Sequence, residues 1–130
     1  MGKPVAKQGD RVVGVDTHVI LVPSPAGPVP TPLPMPFSGA LSADLSATVM
    51  VDGLAAAVVG SGADNLPPHL PMGGPFQTPP ANKGSISQGS ETILFDGKAV
   101  ARAGDPVTCC NDPSDTDTGA VIAVGTVIAS

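Results

Sequence analysis

The residues best suited to chemistry in this 130-residue chain are two histidines and two cysteines. His18 and His69 are the only histidines, while Cys109 and Cys110 are adjacent, which disfavours an ordinary disulfide between them. Imidazole and thiolate groups are preferred ligands of zinc. In a reducing compartment, cysteines combined with histidines indicate a metal site or a reactive thiol.

An internal repeat gives these residues related positions. Residues 2–12 (GKPVAKQGDRV) and residues 97–107 (GKAVARAGDPV) are identical at seven of eleven positions. Residues 53–63 (GLAAAVVGSGA) form a weaker third copy, and each copy has two glycines seven residues apart. In a chain this small, the repeat predicts three equivalent structural units.

The histidines fall at the same place in two of the units. His18 and His69 each lie sixteen residues after the first glycine of their copy, and Cys109 and Cys110 lie twelve and thirteen residues after Gly97. Pseudo-threefold symmetry would bring these positions to one end, which predicts a zinc site with nitrogen and sulfur ligands. The alternatives are solvated or hydrogen-bonded histidines and ordinary buried cysteines.

The elements that must position these residues are β-hairpins. Residues 48–53 and 92–97 are β-rich runs that end in Asp-Gly, a strong hairpin signal. The first copy has no preceding strand, so we expect the C-terminal residues to pair with the N-terminal ones. The predicted domain is a single one, 1–130, with units at 119–130 plus 1–12, 39–63 and 84–107.

Composition and charge exclude several classes of protein. The chain has 16 glycines and 16 prolines, which rules out a helical bundle, and only three aromatic residues, so its thin core needs a metal, a disulfide or oligomeric contacts. A net charge of −5 and no basic patch argue against nucleic-acid binding. The N-terminus lacks a signal-peptide pattern, so synthesis in the cytoplasm is expected.

Several motifs together resemble the PAAR-repeat (proline-alanine-alanine-arginine) proteins. They are residues 2–7, 97–105, 16–18, 67–76 and 110–113, and the resemblance covers nearly the whole chain. It implies an all-β cone of three pseudo-symmetric hairpin units with long proline-rich loops and one structural zinc ion near the tip. It also implies a structural protein, not an enzyme.

The resemblance also implies partners and a location. The cone would cap a trimeric β-helical spike protein of the valine-glycine-repeat type, one cap per trimer. Such spikes belong to contractile injection machines, namely type VI secretion systems, phage tails and extracellular particles. The tip would meet the target membrane only transiently, and because the chain ends at Ser130, any effector protein would bind separately or be carried by the spike. The protein would be delivered outside the cell or into a target cell.

The family's metal is held by three histidines and one cysteine. His18 and His69 match two of the histidines, and Cys110, directly before Asn-Asp-Pro, matches the cysteine. Met35 stands where the third histidine is expected, and a thioether is a poor zinc ligand. The fourth ligand would therefore be Met35, Cys109 or a water, and a different metal is the other possibility.

Two further alternatives remain from the residues. The proline-rich residues 22–36 form either an ordered loop along the cone or a polyproline II linker. An open metal position would suit a small zinc-dependent hydrolase instead of a structural cap.

Overall fold

The computed structural model describes residues 2–130, which fold entirely as strands, turns and loops. Met1, at the start of the predicted N-terminal unit, lies outside the described residues. No helix within residues 2–130 is long and apolar enough to span a membrane. The strands are β1 (Lys3–Pro4), β2 (Arg11–Val22), β3 (Val29–Ala43), β4 (Met50–Val51), β5 (Leu54–Ala55), β6 (Gly62–Asp64), β7 (Lys83–Ile86), β8 (Leu94–Phe95), β9 (Lys98–Ala99), β10 (Pro106–Cys109), β11 (Thr116–Ile122) and β12 (Ile128–Ala129).

Three short hairpins correspond to the three predicted units. β4 pairs with β5 and β8 with β9 across Asp52-Gly53 and Asp96-Gly97, whose four residues all have positive φ, as a type I′ turn requires. β1 pairs antiparallel with β12, so the two ends of the chain form the third unit, which resembles a hairpin without its turn. The predicted all-β fold with three hairpin units is confirmed.

A closed ring of hydrogen bonds joins the hairpins. Ala6 N–H donates to Ala101 O at 2.9 Å, Ala101 N–H to Ala57 O at 3.0 Å, and Ala57 N–H to Ala6 O at 2.9 Å. These alanines occupy the same position in each repeat and are fully buried. The ring therefore has threefold pseudo-symmetry, and its axis has room only for small side chains.

A six-stranded barrel stands on this ring, with the strand order β10-β11-β2-β3-β6-β7. β2, β6 and β10 each begin at the tenth of the eleven residues of a copy, so all three run away from the ring. The barrel core holds a single aromatic ring, from Phe37, among small and aliphatic side chains; it includes Val12, Leu41, Ala63, Ile86, Val107, Cys109 and Val121. The barrel core is therefore thin, as the composition predicts.

Most of the proline-rich segment is strand β3 rather than a loop. β3 pairs with β2 in continuous register from Arg11↔Ala40 to Val22↔Val29. Val19 and Leu21 direct their N–H groups away from β3, to Asp112 Oδ2 and Pro75 O. Their partners Pro32 and Pro30 are therefore at non-hydrogen-bonded positions, where no donor to β2 is needed.

Alternate prolines deprive the outer edge of β3 of hydrogen-bond donors. Replacing Pro30, Pro32 and Pro34 together with threonine is expected to cause concentration-dependent self-association, because the free edge could then pair with another strand. Sedimentation velocity at several concentrations measures this. Pro79→Thr, at an exposed loop position, is the control, and self-association equal to that of the control would contradict the role of the prolines.

Candidate metal centre

Four buried side chains meet at the end of the barrel away from the ring. Asp16 and His18 are two residues apart on β2, so both point to the inner face of the strand. His69 lies in the loop after β6, and Cys110 directly follows β10. One potential ligand atom from each of the four lies within 4.8 Å of the others.

The side chains of this group are within contact distance of one another. His69 Nε2 lies 2.8 Å from Asp16 Oδ2, and the Cys110 thiol donates to the same oxygen at 3.4 Å. Cys110 Sγ lies 3.6 Å from His18 Nε2. Ligands of a tetrahedral zinc ion are separated by about 3.4 Å, given the usual bond lengths. The Asp16–Cys110 and Cys110–His18 distances are close to this spacing, and the Asp16–His69 distance is shorter.

Charge favours a divalent cation in this group. Burial, followed by the nearby charge of Asp16 and its hydrogen bond, raises the pKa of the Cys110 thiol. Cys110 therefore holds its proton while no cation is present. Among residues 2–130, no lysine or arginine pairs with Asp16, whose carboxylate instead contacts the imidazole of His69. Two positive charges would balance one carboxylate and one thiolate, whereas an unbalanced buried charge is costly.

Neighbouring amides hold the two loops in place. Asn82 Oδ1 accepts from the backbone N–H of His69 at 2.8 Å, and Asn65 Nδ2 donates to His69 Nδ1 at 3.2 Å. Asn111 Oδ1 accepts from Thr17 N–H at 2.7 Å, which ties the Cys110 loop to β2. The site is therefore built on fixed elements, as a structural metal centre requires.

Comparison with protein families agrees with this architecture. The family described as the PAAR motif matches residues 21–110 and, in a second overlapping match, residues 76–129. The chain belongs to the PAAR-motif family. No curated protein sequence matches it. The family is structural rather than enzymatic.

The PAAR-motif chain brings together His18, His69 and Cys110, the three residues predicted as ligands. Asp16 was not predicted as a ligand, and its place two residues before His18 on β2 is what puts both side chains on the same face. Met35 is buried on β3 directly opposite Asp16 in the register. Asp16 is thus paired across the strands with the position where the resemblance predicts a third histidine.

Cys109 lies outside the group of four and points into the barrel core. Its Sγ packs against the backbone of Gly119 and Gly84, where an added Cβ would come within 2.7 and 3.4 Å of the sulfur. Burial raises the pKa of this thiol to about 12. Cys109 is therefore a small apolar core residue, because successive side chains of a strand point to opposite faces.

The donor set of this PAAR-motif protein fits a metal ion. Two imidazoles, a thiol and a carboxylate lie close together in buried positions, and each type is a zinc ligand. Nε2 of His18 lies 3.6 Å from Cys110 Sγ, so this ring nitrogen is directed into the group. When bound, the ion would fix the loops after β6 and β10 to strand β2.

Proposed function

We propose that this protein is the structural tip that caps the trimeric β-helical spike of a contractile injection machine. Membership of the PAAR-motif family supports a spike-tip role in general. The observation that carries the proposal is the closed alanine ring, because it gives one chain three equivalent edges. A single copy can thereby match a threefold partner, and one cap per trimer follows.

The surface that would face the spike is apolar at three equivalent points. Met50, Leu94 and Ile128 occupy the same position in the three hairpins and are 63%, 61% and 52% exposed. We call these three side chains the base triad. Exposed apolar groups arranged around one axis are typical of a protein–protein interface. Their arrangement favours a trimer with one apolar pocket per subunit.

We infer that the metal centre binds one structural zinc ion, with Asp16, His18, His69 and Cys110 as ligands. Structural zinc sites are filled by four protein ligands, whereas catalytic sites keep one position for water. A fourth protein donor therefore favours a structural centre over the zinc-dependent hydrolase. Neither Met35 nor Cys109 is needed to complete the set.

The remaining parts of the role follow from this assignment. The protein would be made in the cytoplasm, built into the particle and delivered outward with the spike. It would meet the target membrane only transiently and would not bind nucleic acid, in keeping with its net charge of −5. Effector proteins would be further partners of the cap or of the spike.

A direct test mixes the protein with the valine-glycine-repeat spike trimer of the same organism. Native mass spectrometry is expected to show one chain per trimer, with one zinc ion per chain and no hydrolase turnover. A complex with three chains per trimer, or no complex at all, would contradict the cap. Turnover that His18→Ala abolishes while the fold is kept would favour the hydrolase.

A further inference from the structure

Among residues 2–130, the only buried side-chain nitrogen or oxygen without a hydrogen-bond partner is Nδ1 of His18. The residue is only 1% exposed, so bulk solvent does not reach the ring. A buried polar group without a hydrogen bond is unfavourable in the folded protein. The group facing this nitrogen is the carboxylate of Asp112, with Oδ2 at 3.7 Å, just beyond hydrogen-bond distance.

Asp112 is held beside His18 by contacts with β2. Its backbone N–H donates to Thr17 O at 2.8 Å, and its Oδ2 accepts from Val19 N–H at 2.8 Å. These two contacts lie on either side of His18 in the strand. The carboxylate is therefore anchored to the backbone that carries the imidazole, and its position does not depend on the ring.

The two ring nitrogens of His18 face different groups. Nε2 faces the candidate metal centre, 3.6 Å from Cys110 Sγ, while Nδ1 faces Asp112. A metal-bound histidine usually donates its other N–H to a carboxylate or carbonyl, which fixes the tautomer and strengthens the ligand. We propose that Asp112 is a positioning residue that accepts a hydrogen bond from Nδ1 of His18 and presents Nε2 to the metal. This inference rests on the zinc centre proposed above.

In His69 the ring proton lies on the nitrogen that faces the metal centre. Its Nδ1 accepts from Asn65 Nδ2, whose Oδ1 accepts from Ser38 N–H at 2.9 Å, so the ring proton is on Nε2 and is directed to Asp16. Binding a cation through Nε2 would require this proton to leave. With its proton on Nδ1, His18 has a free lone pair on Nε2 and loses no proton when it binds the cation. Asp112 therefore makes His18 the better placed of the two histidines to bind metal.

The test compares Asp112→Asn and Asp112→Ala with Asp115→Asn, which removes the same charge from an exposed position on the same loop. Zinc affinity is measured by competition with a chromophoric chelator. We expect about 10–100-fold weaker binding in the Asp112 variants, with the greater loss in alanine. Asp115→Asn should stay within about twofold of the original protein, because Asp115 does not face either imidazole.

A second measurement separates positioning from folding. Nitrogen NMR of the zinc-loaded protein should show Nε2 of His18 bound to metal and a slowly exchanging Nδ1–H, which exchanges faster in Asp112→Ala. Equal affinities in the Asp112 and Asp115 variants, or zinc bound through Nδ1, would overturn the role of Asp112 alone. An original protein that binds no zinc would overturn the zinc centre, and this inference with it.

Discussion

Replacing His69 with alanine should abolish stoichiometric zinc binding and lower the melting temperature by more than about 10 °C. Structural zinc sites contribute of order 10 kcal/mol to folding in small domains, and 1 kcal/mol corresponds to several degrees at this chain length. The loop of His69 has little apolar burial to replace that energy, since its neighbours Leu66, Leu70 and Met72 are exposed. Elemental analysis and thermal melting followed by circular dichroism measure the two effects.

The matched control is Leu70→Ala, at the next residue in the loop. This variant should have the zinc content and the melting temperature of the original protein. A chelator added to the original protein should reproduce the melting temperature of the His69 variant. If the variant keeps full zinc and melts unchanged, His69 is not a ligand. If chelation has no effect while the variant melts early, His69 acts through its hydrogen bonds to Asp16 and Asn65 and not through a metal.

The hairpin units were predictable because their signals are local. An Asp-Gly pair after a β-rich run specifies a turn with positive φ at both residues, and the repeat placed that turn in two units. The pairing of β1 with β12 joins the two ends of the chain. It was predictable because the N-terminal copy of the repeat has no preceding strand, which left the C-terminal residues as its partner. The convergence of His18, His69 and Cys110 came from the same symmetry.

Two features depended on information that local patterns do not carry. Proline is depleted in strands, so the segment that contains Pro30, Pro32 and Pro34 was expected to be a loop. It forms β3 because every proline falls where its nitrogen faces away from β2, a matter of register. Asp16 was missed because a carboxylate next to a histidine is common, and only the barrel shows that it faces His69 and Cys110.

Replacing Leu94 with aspartate should weaken binding to the spike trimer by at least about 30-fold, the effect of a 2 kcal/mol interface hot spot. Its side chain is exposed on β8, so the fold itself loses little when the leucine is replaced. In the complex, an unpaired carboxylate would be buried against an apolar surface, which is strongly unfavourable. Fluorescence anisotropy or surface plasmon resonance with immobilised trimer measures the change.

Pseudo-threefold symmetry extends this prediction from Leu94 to the other two residues of the base triad. If the base triad contacts three equivalent pockets, Met50→Asp and Ile128→Asp should each weaken binding to a similar extent, because the three side chains are related by the axis of the alanine ring. Val15→Asp places the same charge at an exposed apolar position on the barrel wall and should leave binding unchanged. A loss confined to one triad position would indicate a one-sided contact, and a loss as large with Val15→Asp would place the interface on the barrel. Similar losses at all three positions, with melting temperature and zinc content unchanged, are the result that only an axial cap explains.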